Sequence, residues 1–154
     1  MSSHRRLIAT AAGLTAASVA GIAGIVSAGG RPLSTDLSGA EEAPGPGDAN
    51  ATGNADLTLN QGQGEVCFDL NWADIDGAVF AAHIHVGEAG EPGPIVVPLF
   101  MTVLPGDDGG ASGCVGGVDP ELIKDIRKDP SAYYVNVHSL PGFAAGAIRG
   151  QLGD

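Results

Sequence analysis

The stretch AAHIHVGEAGEPGPIVVPL, from Ala81 to Leu99, is the most informative run of residues in the chain. It opens with an apolar segment that carries His83 and His85, continues through a turn rich in glycine and proline, and ends in a second apolar segment. Successive side chains of a β-strand point to opposite faces. The stretch therefore predicts two short strands around a turn, with both histidines on one face of the first strand.

Short alternating segments recur through the rest of the chain. The clearest is EVCFDLNW, from Glu65 to Trp72, in which every second side chain is apolar. Other strands are predicted at 31–37, 51–59, 111–118, 132–139 and 147–152, with a turn at 74–77 and loops at 105–110 and 140–146. One helix is predicted after Asp119, because aspartate is a good N-cap and Pro120 suits the first helical position.

Seven or eight short strands with one short helix predict an all-β fold. The chain has 154 residues, which is the length of one domain plus a leader. The architectures that fit this pattern are an antiparallel β-sandwich and a Greek-key barrel.

The first 28 residues are predicted to be a signal peptide. Arg5 and Arg6 form a basic start, apolar and small residues follow, and the segment Val26 to Ala28 suits cleavage. The apolar run is near the length of a membrane span, but alanine, glycine, threonine and serine predominate in it, which favours cleavage over a retained anchor. We expect an extracellular or cell-envelope protein with no membrane span after cleavage.

The charge balance is strongly acidic. Eighteen Asp and Glu residues against seven Lys and Arg residues give a net charge of −11. Nucleic acids and anionic membrane surfaces attract basic patches, so this composition argues against both as partners.

The two cysteines, Cys67 and Cys114, both lie beyond the predicted leader. An even pair in an oxidising compartment favours one disulfide over two free buried thiols. No C-x-x-C spacing is present, which argues against a redox motif or a thiolate zinc site.

Four segments together resemble the CHRD domain, a module named from chordin and found in exported bacterial proteins. They are LSGAEEAP (37–44), AAHIHVGEAGEPGPIVVPL (81–99), YYVNVHS (133–139) and GAIRGQL (146–152). The resemblance covers a domain at 34–152, preceded by a linker at 29–33. It implies a compact all-β extracellular domain without an established catalytic residue, and the expected partner is an unknown protein or cell-surface ligand.

Strand alternation places six polar residues opposite the apolar ones in three of these segments. We call this set the polar face; it consists of His83, His85, Asn136, His138, Arg149 and Gln151. An H-x-H pair on one strand with a third histidine from another is a feasible three-nitrogen site for copper or zinc. The alternative is that these histidines form structural hydrogen bonds.

The histidine pattern is also similar to that of copper/zinc superoxide dismutase. That similarity implies that His83, His85 and His138 hold copper and that Arg149 attracts an anion. The additional histidines of the zinc subsite and its long metal-binding loop are missing, however, and the acidic charge opposes an anionic substrate. From sequence we therefore expect a non-enzymatic binding or structural module without a cofactor, with a small copper- or zinc-binding protein as the alternative.

Overall fold

The computed structural model describes residues 29–104 and 107–153. The predicted signal peptide lies outside the described residues. The strands are β1 Arg31–Ser38, β2 Thr52–Asn60, β3 Glu65–Ile75, β4 Ala78–Val86, β5 Ile95–Phe100, β6 Asp107–Gly116, β7 Tyr133–Leu140 and β8 Phe143–Gln151, and the helix α1 is Pro120–Lys128. The predicted all-β class is confirmed.

All eight strands belong to one antiparallel sheet, in the order β5-β4-β7-β8-β1-β2-β3-β6. The edge strands β5 and β6 contact each other, so the sheet curls into a nearly closed barrel. Phe100 of β5 stacks on Phe68 and Trp72 of β3, with ring centroids 6.3 and 6.4 Å apart, and these rings pack across the gap. Of the two architectures that the sequence predicts, the barrel is observed.

The hydrophobic core fills the inside of the barrel with every second side chain of the strands. Leu57 is paired with Phe68 between β2 and β3, and Ile84 with Val135 between β4 and β7. All four are buried. Because side chains alternate, the neighbours of these residues point to the outside of the barrel.

The first and last strands are neighbours in the sheet. Ser38 of β1 is paired with Arg149 of β8, and the Thr35 hydroxyl donates to the backbone carbonyl of Gln151 at 2.8 Å. The strands are antiparallel, so the last residues of β8 lie beside the second half of β1.

The helix α1 begins where the sequence predicts. The Asp119 carboxylate accepts a hydrogen bond from the Glu121 N–H at 2.9 Å, and Pro120 is the first helical residue. Ile123 and Ile126 are fully buried in the core. No helix among the described residues is both long and apolar enough to cross a membrane.

Three predicted boundaries are wrong. β3 continues to Ile75 through a register shift, and β6 begins at Asp107 within the predicted loop. Gly109 is paired with Trp72, and a Cβ at this glycine would lie 2.9 Å from the indole Nε1, so a small residue is needed here inside a strand. β8 begins at Phe143, because a two-residue turn replaces most of the predicted loop.

The disulfide between Cys67 and Cys114 is present, as predicted. The two residues are direct partners on β3 and β6, and the S–S distance is 2.06 Å. The bond fastens the edge strand β6 to its neighbour.

Candidate metal centre

The polar face lies on the outside of the barrel, across β4, β7 and β8. Asn136 is paired with His83 on one side and with Arg149 on the other, which places the three side chains in a row. All six residues of the face are at most 8% exposed although they point away from the core. Other parts of the chain must therefore cover them.

The loop at 87–94 provides much of this cover. Arg149 donates to the carbonyls of Glu88 and Glu91 at 2.8 and 2.9 Å, and Gln151 donates to the carbonyl of Gly87 at 2.8 Å. Gly93 donates its N–H to the Tyr134 hydroxyl at 3.0 Å. Side chains of the polar face, together with Tyr134, thus hold this loop by hydrogen bonds to the loop's backbone.

Under this cover the three histidine rings lie together. One nitrogen from each of His83, His85 and His138 lies within 4.8 Å of the other two. His83 Nδ1 and His138 Nε2 are 3.0 Å apart, and the rings are 6 to 8% exposed. The adjacency of β4 and β7 brings the third histidine to the H-x-H pair.

Backbone carbonyls fix the orientation of two of these rings. His85 Nδ1 lies 2.8 Å from the carbonyl oxygen of Gly93, and His138 Nδ1 lies 3.1 Å from that of Ala144. A carbonyl oxygen only accepts hydrogen bonds, so Nδ1 carries the hydrogen in both rings and Nε2 keeps its lone pair. Metal-binding histidines in proteins are commonly held in this way.

One of these lone pairs is left without a partner. His85 Nε2 is buried, and nothing in the described part of the chain forms a hydrogen bond with it. Nε2 of His138 accepts from His83 Nδ1, because its own ring hydrogen is on Nδ1. The cluster therefore contains a nitrogen that is available to a further group.

An irregularity in β8 places the Ala144 carbonyl. Between the pairs Val137–Ile148 and Ser139–Phe143, β7 advances by two residues and β8 by five. The three extra residues of β8 interrupt its regular pairing with β7. The segment around Ala144 can thereby reach the His138 ring.

Burial keeps all three imidazoles neutral at neutral pH. The pKa of His83 is lowered to about 4, first by burial and then by the neighbouring His138 and His85. Burial also lowers the pKa values of His85 and His138. Neutral imidazole is the form that binds metal ions.

Two residues beside the cluster, Tyr134 and Glu42, are missing from the site residues predicted from the sequence. Tyr134 stacks on His85 with ring centroids 4.7 Å apart, and Arg149 Cζ lies 3.4 Å from the centre of the Tyr134 ring. Alternation on β7 already places Tyr134 on the same face as Asn136. Glu42 comes from the segment 37–44, and its place in that CHRD-like motif is the signal that could have identified it.

Glu42 covers the other side of the polar face. Asn136 Nδ2 lies 3.1 and 3.4 Å from the two carboxylate oxygens of Glu42. Burial raises the pKa of Glu42 to about 7, although the bond to Asn136 and the charge of Arg149 act in the opposite direction. The carboxyl group is thus held in a weakly solvated place next to the histidine strands.

A second group with ligand-type atoms is formed by Glu65, Cys67 and Cys114. Its sulfur atoms are joined in the disulfide. A disulfide offers no thiolate, so this group is not a metal site.

The sequence was compared with models of known protein families, and one family matches. The family model described as CHRD domain matches residues 33–152, which is most of the chain. The chain belongs to the CHRD domain family. The match includes both histidine strands of this CHRD domain and the segment that carries Glu42. Searches of curated proteins and of solved structures return no match.

Proposed function

We propose that this protein is an exported, non-enzymatic CHRD domain that holds one copper or zinc ion on His83, His85 and His138. The observation that carries the proposal is the lone pair of His85 Nε2, which is buried, unpartnered within the described chain, and close to two other imidazoles. A histidine with a purely structural role is expected to have both ring nitrogens satisfied. A buried polar atom without a partner costs about 1–3 kcal/mol, and an ion would remove that cost.

The dimensions of the cluster support binding of a single ion. Zinc–nitrogen bonds are about 2.0–2.1 Å long in tetrahedral sites, which puts ligand nitrogens about 3.4 Å apart. His83 Nδ1 and His138 Nε2, which are 3.0 Å apart, are within about 0.4 Å of this spacing, and one nitrogen of His85 lies within 4.8 Å of both other rings' ligand atoms. An ion between His83 Nδ1 and His138 Nε2 replaces the proton there, and the neutral His83 ring then carries its hydrogen on Nε2.

The burial of the site favours binding of a metal ion without catalysis. The Arg149 guanidinium is 1% exposed and donates to loop carbonyls, so an anion would have to displace the loop to reach it. The disulfide and the predicted signal peptide support export, because disulfides persist in oxidising compartments. A protein or cell-surface partner stays an expectation from the sequence.

The test is calorimetric titration of the metal-stripped domain, residues 29–154, with Zn(II) and Cu(II). We expect sub-micromolar binding of one ion, lost in His85→Ala. The control Asn71→Ala changes an exposed residue of β3 and is expected to bind normally. Thermal unfolding of each variant establishes that it is folded.

The contrary result is equally clear. An absence of binding by the wild-type domain, together with a destabilised His83→Ala variant, would assign the cluster a structural role. The hydrogen bond between His83 and His138 and the two carbonyl contacts would then account for the three histidines.

A further inference from the structure

Asn136 occupies the middle of the polar face. It is paired with His83 across the sheet and lies two residues before His138 on the same side of β7. Its side chain is 2% exposed. An asparagine in such a place needs partners for both ends of its amide.

Only one end of the amide has them. Nδ2 faces the two Glu42 oxygens, and this contact fixes which way the amide points, because a carboxylate accepts hydrogen bonds from an NH₂ group. Oδ1 is buried, and no group of the described residues donates to it.

The Asn136 oxygen and the His85 nitrogen are both buried acceptors without a partner among the described residues. Asn136 lies opposite His83 in the sheet and is therefore the diagonal neighbour of His85 on the same face, within reach of a long side chain. With the His85 ring neutral, His85 Nε2 and Asn136 Oδ1 are two buried acceptors at neighbouring positions. Two acceptors repel each other unless a cation or a donor lies between them.

We propose that Asn136 completes the metal centre, with Oδ1 as the fourth ligand and Glu42 as the residue that holds this oxygen toward the ion. The inference rests on the proposed function. Three imidazole nitrogens and one amide oxygen form a donor set for a divalent ion, Zn(II) or Cu(II), rather than for Cu(I), which prefers sulfur ligands. The Glu42 carboxylate behind the amide also offsets part of the charge that the ion brings into the buried face.

The experiment compares Zn(II) affinity and the visible spectrum of the Co(II)-loaded domain. Asn136→Ala is expected to weaken Zn(II) binding by about ten-fold or more and to change the Co(II) bands, because solvent replaces a protein ligand. Asn136→Asp retains an oxygen at this position and is expected to keep the four-coordinate spectrum. Glu42→Gln is expected to weaken binding by about ten-fold through the loss of its charge.

The outcomes separate this inference from the proposed function. If the wild-type domain binds no metal, the proposed function fails and the inference fails with it. If His85→Ala abolishes binding while Asn136→Ala binds Zn(II) like the wild type with an unchanged Co(II) spectrum, the inference alone is overturned. The unpartnered nitrogen of His85 and oxygen of Asn136 are then assigned to hydrogen bonds with a buried water. Asn71→Ala again serves as the matched control for loss of an asparagine.

Discussion

At the scale of single residues, Glu42 couples the stability of the polar face to pH. Its pKa of about 7 in the folded protein compares with 4.5 for an unperturbed glutamate. The folded state therefore binds more protons than the unfolded state between these two pH values. Its contribution makes the protein more stable as the pH falls through this range, and less stable above it. The groups that act against this pKa shift are Asn136, the charge of Arg149 and the backbone of Ala43.

We predict that Glu42→Gln separates this effect from all others in the metal-free domain. The glutamine cannot ionise, so its advantage in free energy of unfolding over the wild type should grow as the pH rises from about 4.5 to about 7, and then level off. Urea denaturation across this range measures the difference. The exposed neighbour Glu41 supplies the control Glu41→Gln, and an equal pH trend in both variants would contradict the assignment.

The three histidines act in the opposite direction. Their pKa values are lowered in the folded protein, so the unfolded state takes up protons first as the pH falls below about 6.5. This contribution to stability is present above that pH and is lost as the pH approaches the folded value of about 4 for His83. The wild-type profile is the sum of both opposing trends.

The hydrogen positions on the rings give a second prediction. In the metal-free domain at neutral pH, His85 and His138 should carry hydrogen on Nδ1, because the carbonyls of Gly93 and Ala144 accept there. Long-range proton–nitrogen correlation by NMR reports the tautomer directly. Detection of hydrogen on Nε2 of His85 would remove the free lone pair on which the proposed function depends.

At the scale of elements, the Arg149 guanidinium makes two of the hydrogen bonds that hold the loop at 87–94. Arg149 donates to the carbonyls of Glu88 and Glu91 and stacks on Tyr134, while it is almost fully buried. Hydrogen bonds that involve a charged group contribute about 1.5–3 kcal/mol each. The loop in turn carries Gly93, whose carbonyl orients His85.

We predict that Arg149→Met loosens this loop and lowers the free energy of unfolding by about 3–6 kcal/mol, the sum for two such hydrogen bonds. Amide hydrogen exchange, followed by mass spectrometry, should accelerate in peptides that cover 87–94 more than elsewhere. The control Lys128→Met removes an exposed basic residue at the end of α1. Uniform acceleration over the whole chain would instead indicate a global loss of stability without a specific role in the loop.

Features that depend on neighbouring residues could be predicted from the sequence, whereas features that join distant parts of the chain could not. Alternation predicted the facing of Cys67, Val135 and His138 because it depends only on neighbouring residues. It could not predict that β4 and β7 adjoin, since that pairing joins distant parts of the chain. Nor could it predict the bulge in β8, where Ala144 leaves the regular register to meet His138.

At the scale of the whole molecule, the disulfide ties down the edge of the sheet. Cys67 and Cys114 are 47 residues apart in sequence. A crosslink over a segment of this length restricts the unfolded chain and stabilises the fold by about 4 kcal/mol on the chain-entropy model. The bond matters here because, among the described strands, β6 is paired only with β3.

We predict that the double variant Cys67→Ala/Cys114→Ala stays folded but loses up to about 4 kcal/mol of stability. Denaturant unfolding of the variant and of the wild type under non-reducing conditions measures the loss. Thiol titration of the unfolded, non-reduced wild type should find no free thiol, and two reactive thiols would refute the crosslink. The histidine strands are not part of the crosslink, so metal affinity should change little.

The neighbouring positions of β1 and β8 have a consequence for how the domain can be combined with others. The chain leaves the barrel at Gln151, beside Thr35, four residues after β1 begins at Arg31. A strand rises about 3.3 Å per residue, so entry and exit lie roughly 13 Å apart along β1. A unit with entry and exit this near each other suits insertion into a surface loop of a host protein. Such an insertion interrupts neither β4 nor β7. The three histidines would therefore keep their arrangement in the host protein.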